Sequence, residues 1–577
     1  MKPSLTKVAS IAILFSLGIG ACGKNSGGGG EPPIDPNIPP TDPAISKTIG
    51  FFLDDWQTRS FSVPSAKDTT ITGTPLATIT VDPYKIITKV PSSIFGENAN
   101  VITTQFVNEP VLMDNINKLD PTIVRYPGGD NSSLFFWNAA EGSLPPDVPT
   151  TLKDKSGADY SPKYSFGKST VATTLSLDNY YQLLQQTGSK GFITVNASYA
   201  RYSTAAAPVA AAAHLAADWV RYDNGRTLYW EVGNENYGNW QAGWRINTAN
   251  NKDGQPEIIN GDIYGDHVNV IIDSMRKAAT EIGKTIKIGA VLVEGLYTSS
   301  TLTETEWNVK AIKKVNSGVD FYTVHNFYTP FGESSNSPYI LNSSPTSSKL
   351  MADYIKQSFT SAGVESKPLA LSQYNINAIG SSQTASFVAG MHSISTLGEI
   401  LNNNIGMAAR FTLTDPWVSG NSRAMFSSGD EPGGVTKWTP RATFYYMHYF
   451  RRFLGDRLIT STIDNAGAEV LSYASSFTSS HIGVTLINKA DVEKIVKINL
   501  KTWKPGATVY WYTLTGGTDN GEFSRKVYVN GNGPAGAAGG PSDYTTLQAY
   551  SSSTANGILI HLPKRATVCL AFPYVKQ

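Results

Sequence analysis

The 577-residue chain is too long for one ordinary domain and suits a barrel with a smaller partner. Hydrophobic residues make up 41% and charged residues 16%, enough for a sizeable core, and 47 basic against 46 acidic side chains leave a net charge of +1. That balance gives no electrostatic case for nucleic acid or an acidic membrane surface, while 28 Tyr and 11 Trp suit a secreted protein that handles neutral, hydroxyl-bearing ligands.

The chain begins with Lys2 and Lys7, an apolar run from Val8 to Ile19, and then Gly20, Ala21 and Cys22. This reads as a secretion signal over residues 1–22, and Ile19-Gly20-Ala21-Cys22 resembles a bacterial lipobox. The resemblance implies cleavage before Cys22 and lipid attached to it. The protein would then sit at the bacterial cell envelope, on the outer membrane or cell surface, touching membrane only through the anchor. The apolar run is too short to span a bilayer. Residues 23–46, with glycine at each position from Gly27 to Gly30, predict a flexible linker. Residues 47–89 read as short strands (Ser60–Val63, Ala77–Val81, Lys85–Lys89) without a partner sheet nearby, so pairing with the far end of the chain is expected.

Residues 90–455 alternate short apolar strands with longer helical stretches, the pattern of a parallel sheet. The strands expected are Ser93–Phe95, Thr122–Val124, Phe192–Val195, Tyr229–Val232, Ile286–Val293, Phe321–Val324, Pro368–Leu371 and Arg410–Leu413. Helices are expected at Pro208–Tyr222, Tyr264–Ile282 and Thr384–Asn404, the first with proline in its first turn. Eight such units predict an α/β fold, a (β/α)8 TIM barrel. Beyond Gly455 the helical period vanishes. Residues 456–577 predict an all-β sandwich of alternating strands (Glu469–Tyr473, His481–Ile487, Ile495–Leu500, Thr508–Leu514, Ile558–His561, Thr567–Phe572), completed by the strands before the barrel. Asn530–Ser553 reads as a long hairpin excursion. Cys569 lies in an apolar strand without a partner and is expected as a buried thiol; no disulfide frame, metal spacing or nucleotide motif is visible, so no cofactor is expected.

Each barrel strand ends in polar or aromatic residues, where such barrels keep their chemistry. In Tyr229–Trp240, Glu235 after strand four reads as a general acid, Asn234 as a ligand for a substrate hydroxyl, and Trp230 and Tyr237 as aromatic surface. Alternation puts Glu231 opposite Trp230, as a structural residue. Trp137, Trp240, Trp244 and Trp417 read as sugar platforms or loop anchors.

Arg125-Tyr126-Pro127-Gly128-Gly129, Trp230–Glu235, His325-Asn326-Phe327-Tyr328 and Leu371–Asn377 together resemble the barrel of clan A glycoside hydrolases. Within the clan the likeness is to family 51 α-L-arabinofuranosidases, with families 39 and 79 also similar. The resemblance spans about residues 90–577, since Leu486-Ile487-Asn488 and Leu562-Pro563 also fit. It implies hydrolysis of a polysaccharide or oligosaccharide with retained configuration, and a carbohydrate partner rather than nucleic acid. Glu235 would be the acid/base, Asn234 would contact the sugar, and Arg125, His325 and Tyr328 would orient a second glutamate after strand seven. Glu97 and Trp417 would join the binding surface. At the second glutamate's position the chain has Gln373, a poor nucleophile that cannot carry the needed charge. Its neutrality also makes Glu235 less able to hold a proton. Several explanations stay open: a glycan-binding cleft without catalysis, a replacement carboxylate among Asp415, Glu294 and Glu97, a nucleophile supplied by the substrate, or a Glu-to-Gln change introduced to trap a complex.

Overall fold

The computed structural model describes residues 39–465 and 469–575. The proposed signal and Cys22 lie outside these residues. The expected linker is not wholly free: Asp42 accepts from Arg457 through both oxygens (2.5 and 3.0 Å) and lies 3.2 Å from Lys89 Nζ.

The barrel closes from eight parallel strands in chain order: β1 (Gly96–Asn98), β2 (Ile123–Tyr126), β3 (Lys190–Val195), β4 (Thr227–Val232), β5 (Lys287–Val291), β6 (Phe321–Asn326), β7 (Leu369–Tyr374) and β8 (Met407–Arg410). A helix follows each: α1 (Pro110–Leu119), α2 (Leu177–Thr187), α3 (Pro208–Asp223), α4 (Gly261–Glu281), α5 (Leu302–Val315), α6 (Ser337–Ala362), α7 (Phe387–Asn402) and α8 (Ala442–Phe453). Local chemistry fixes their ends. Asn260 accepts from the backbone of Asp262 and Ile263 to start α4 three residues before the expected position, and Thr301 with Glu304 forms a capping box on α5. Proline opens α3 as expected.

Several strand boundaries need correction. Ser92–Ile94 is a 3-10 turn rather than a strand, and β1 is the Gly96–Asn98 segment expected to follow it. Strand β8 ends at Arg410, where a strand was expected to begin. Strands β2, β6 and β7 run on through Arg125, His325 and Gln373.

The lower end of the barrel is sealed by a segment that sequence reading passed over. The 3-10 turn Gly50–Leu53 inserts Phe52, fully buried, against Tyr229 and Phe321 (centroids 5.7 and 5.8 Å), with Ile123, Phe192, Ala370 and Met407 around it. Polar side chains can therefore fill only the opposite, carboxyl end of the strands.

The β domain is one continuous, mostly antiparallel sheet. Its order runs Ala66–Asp68, Ala549–Ser553, Thr508–Gly516, Ala566–Val575, His481–Asn488, Val470–Phe477, Arg457–Asp464, Ala77–Lys89, Lys494–Leu500, Ile558–Leu562, around a second apolar core. The expected pairing across the chain is present, because Ala77–Lys89 lies between Arg457–Asp464 and Lys494–Leu500. It is one strand with register shifts rather than two, and residues 60–63 form no strand. Asn488 ties its strand to the chain end by donating to the carbonyls of Leu562 and Pro563. The Asn530–Ser553 excursion also packs on the barrel, with Tyr544 against Phe444, Tyr445 and His448 of α8. Cys569 is buried and free, its thiol pushed up to about 12 by burial. Among the described residues no helix is long and apolar enough to cross a membrane.

Candidate active site

Alternation along the strands decides what reaches the barrel interior. Tyr229 and Glu231 of β4 point inward while Trp230 packs outward on Trp219, so Trp230 offers no surface to a ligand. Inside, Arg125 of β2 is fully buried and makes five hydrogen bonds to four residues on three other strand ends. Its Nε and Nη2 donate to Glu231 Oε2 (2.9 and 2.6 Å), Nη1 to Asn98 Oδ1 (2.9 Å) and Gln373 Oε1 (3.2 Å), and Nη2 to Asn234 Oδ1 (2.9 Å). Glu231 also accepts from Thr194 Oγ1 (2.7 Å) and Ser372 Oγ (2.8 Å). Burial alone would raise its carboxyl, but Arg125, aided by His325, holds it well below the usual range. The residue read as structural is thus the counter-ion of the whole floor. The same signal, an ionisable residue opposite a buried tryptophan, could have located it.

Above this floor the chain turns through Gly233 (φ 91°) and Glu235 (φ 45°). A left-handed glutamate is uncommon, and such backbone is found where function demands a set direction. Glu235 Oε2 accepts from Trp240 Nε1 (2.9 Å), and Oε1 lies 2.8 Å from His325 Nδ1. Because Ser372 Oγ donates to Glu231, His325 Nε2 must donate to Ser372 Oγ, 3.1 Å away. One proton is left for the contact between His325 Nδ1 and Glu235 Oε1. Burial disfavours charge on both partners, yet His325 holds Glu235 below the ordinary carboxylate value, and Glu231, then Glu235, hold His325 above the ordinary imidazole value. Both directions favour placing that proton on His325.

Asn234 is fully buried, and its Nδ2 has no partner among the described residues. Trp240 is 53% exposed beside Glu235, whereas Trp137 and Trp244 are buried, Trp137 stacked on Trp219. Tyr237 is buried against Trp307.

Two expected site residues lie elsewhere. Glu97 is the register partner of Arg410 and faces the helix layer with it, and burial pushes its carboxyl up to about 8. Alternation explains the correction, since Asn98 takes the inward place on β1. Tyr328 orients nothing at Gln373: its hydroxyl meets Ser348 of α6 (2.9 Å) and its ring packs on His392 of α7.

The rim holds further charge. Glu294 is half-buried, with its carboxyl raised to about 7 by burial and by Glu235. Asp415 is raised by burial although Arg423 Nε lies 3.5 Å away. Sequence reading missed Arg423, which also lies over the Phe411 ring at 4.9 Å, and Asp130, the residue after Gly128-Gly129. Trp417 lines a cavity of ≈ 560 Å³ between the barrel rim and the β domain, with Ser381, Asn520 and Arg525. Among the described residues no group of three or more His, Cys, Asp or Glu side chains is placed to hold a metal ion.

No protein-family model and no curated protein sequence matches the chain. Solved structures do. The family 51 α-L-arabinofuranosidase from Bifidobacterium longum superposes with a TM-score of 0.60 at 15% identity, over 87% of this chain and 100% of the other. The α-L-arabinofuranosidase from Thermotoga maritima gives 0.56 at 13% identity over 86% and 99%. A family 44 xyloglucanase from Paenibacillus polymyxa gives 0.53 at 12% identity, also over 86% and 99%. At these identities the likeness is one of architecture: the chain has a barrel and an associated β domain arranged as in these glycoside hydrolases.

Proposed function

We propose that the protein is a glycosidase that cleaves a glycosidic bond of a polysaccharide or oligosaccharide, with Glu235 as the general acid/base. The observation that carries this reading is the contact between Glu235 Oε1 and His325 Nδ1. It stores one proton at the carboxyl end of the barrel, beside the unpartnered Asn234 amide and the exposed Trp240. A leaving oxygen placed against Glu235 can take that proton. Arabinofuranosidases and a xyloglucanase share the fold, which supports a plant-type polysaccharide as substrate. The lipobox-like Ile19–Cys22 supports lipid anchoring at the bacterial cell envelope.

A second reading rests on Gln373. Its carbonyl oxygen accepts from Arg125 where a catalytic carboxylate is expected, so the same cleft can serve a glycan-binding protein without catalysis. Hydrolysis of aryl glycosides and of plant and algal polysaccharides by the parent, Glu235→Gln and Gln373→Glu decides between them. Parent activity that Glu235→Gln lowers by roughly 100-fold supports the hydrolase. A silent parent that Gln373→Glu switches on identifies a binder descended from one.

A further inference from the structure

Gln373 leaves the proposed hydrolase one carboxyl group short, and three rim carboxylates could make up the loss. Asp415 is engaged: Arg423 lies 3.5 Å away and Arg441 is its other charged neighbour. Glu294, after β5, is engaged as well, accepting from the Tyr297 hydroxyl at 3.3 Å.

Asp130 is placed differently. The left-handed glycines Gly128 (φ 72°) and Gly129 (φ 62°) turn the chain sharply after β2 and lift Asp130 to the mouth, where it is exposed to solvent. Gln241 Nε2 donates to Asp130 Oδ1 at 2.6 Å, and Ser133 Oγ fixes Gln241 by donating to its Oε1 at 2.8 Å. Oδ2 has no partner among the described residues. Adjacent side chains of one loop therefore hold both carboxylates: Trp240 grips Glu235, and Gln241 grips Asp130. The charged groups that face Asp130 come from three strand ends, Glu235 after β4, His325 on β6 and Arg423 after β8.

Resting on the hydrolase reading above, we propose that Asp130 is the second carboxylate of the reaction, a general base that activates water for direct attack on the anomeric carbon. Oδ2 takes a proton from the water as the water oxygen bonds to that carbon. The bond to the leaving oxygen breaks with its electron pair on the oxygen, which receives the proton shared by His325 and Glu235 through Glu235 Oε1. Water and glycoside give a hemiacetal and an alcohol, and Asp130 and the His325–Glu235 pair then exchange protons with solvent. No glycosyl-enzyme forms, so Gln373 need not be a nucleophile, and configuration inverts. Although its side chain reaches solvent, Asp130 is crowded by the protein of the mouth, and that loss of water, then the charge of Glu235, raises it to about 6, which leaves it ionised at neutral pH yet basic enough to draw a proton from water.

The test compares the full-length parent with Asp130→Asn on a substrate that the parent cleaves. The expected result is a kcat lower by roughly 100-fold or more with KM little changed, loss of the acid limb of the pH profile near pH 6, and recovery of turnover in sodium azide. Proton NMR should show the parent releasing sugar of inverted configuration. Retained configuration, or Asp130→Asn keeping more than about a tenth of the rate, overturns the assignment and leaves the hydrolase reading standing. A parent that cleaves nothing overturns both. If Asp130→Asn fails to fold, judged by its melting curve, the parent's product configuration and acid limb decide alone.

Discussion

Glu231→Gln asks whether charge or shape holds the barrel floor together. The carboxylate and the Arg125 guanidinium are both 0% exposed and meet at 2.6 Å. Two opposite charges about 4 Å apart attract by ~4 kcal/mol at an effective dielectric of about 20. Glutamine keeps the shape but removes the anion, and its NH2 must face either the Arg125 N–H groups on Oε2 or the Ser372 hydroxyl on Oε1, each already a donor. Removing one member of a buried pair costs ~3–5 kcal/mol, whereas an exposed pair is worth under ~1 kcal/mol. The expected loss is therefore about 4 kcal/mol, measured by urea denaturation of the barrel followed through tryptophan fluorescence. The pH dependence has a definite sign. A carboxyl with a depressed folded-state value contributes fully above its unfolded value of about 4.3 and loses that contribution as pH falls toward the folded value. The gap between parent and variant should hold steady from about pH 8 to 5 and shrink below about 4. Replacing both partners, Arg125→Met with Glu231→Leu, removes the unpaired charge but should recover only part of the loss, because Asn98, Asn234, Gln373, Thr194 and Ser372 then lose buried partners. A deficit under ~1 kcal/mol, or one indifferent to acid, would refute a floor held by charge.

His325→Gln removes the strongest influence that lowers Glu235 against burial. The Glu235 carboxyl should then titrate higher, as carbon-13 NMR of labelled glutamate can follow, and an unchanged titration would place the shared proton elsewhere. Cys22→Ala should release the protein from the membrane fraction into the soluble envelope fraction, as immunoblotting would detect; a variant that stays membrane-bound argues against the lipid anchor.

How legible the molecule was depended on what each strand conceals. Parallel barrel strands are buried on both faces and read as continuous apolar runs, so their number and order could be seen. Their upper ends could not, because Arg125, His325 and Gln373 are polar residues inside strands and look like the start of loops. With both faces buried, alternation also says which residues share a face but not which face is the interior. That is why Glu231 was placed opposite Trp230 yet left without a role, and why Glu97 was expected in the cleft when Asn98 occupies it. Tyr328 misled for a related reason: it follows His325 closely, but its left-handed backbone (φ 52°) turns it toward α6 and α7. Asp130 carried a usable signal, a carboxylate directly after a Gly-Gly turn at the end of a barrel strand.

The charge of the floor explains how Gln373 can belong to a coherent site. Arg125 and the protonated His325 are balanced by Glu231 and Glu235, so the buried groups sum to zero with a neutral residue at position 373. A carboxylate there would share Arg125 with Glu231 and leave one negative charge uncompensated. Glu235 lies at the open edge of the network and would respond by binding a proton of its own. On the hydrolase reading one residue therefore sets both whether a nucleophile exists and where the proton of the Glu235–His325 pair resides. With glutamate at 373 the floor favours double displacement, a protonated Glu235 facing a nucleophile. On the hydrolase reading, glutamine places the proton on His325 and closes the covalent step, and the proposed route is water attack assisted by Asp130. Product configuration should consequently differ between the parent and Gln373→Glu: inverted in the first and retained in the second.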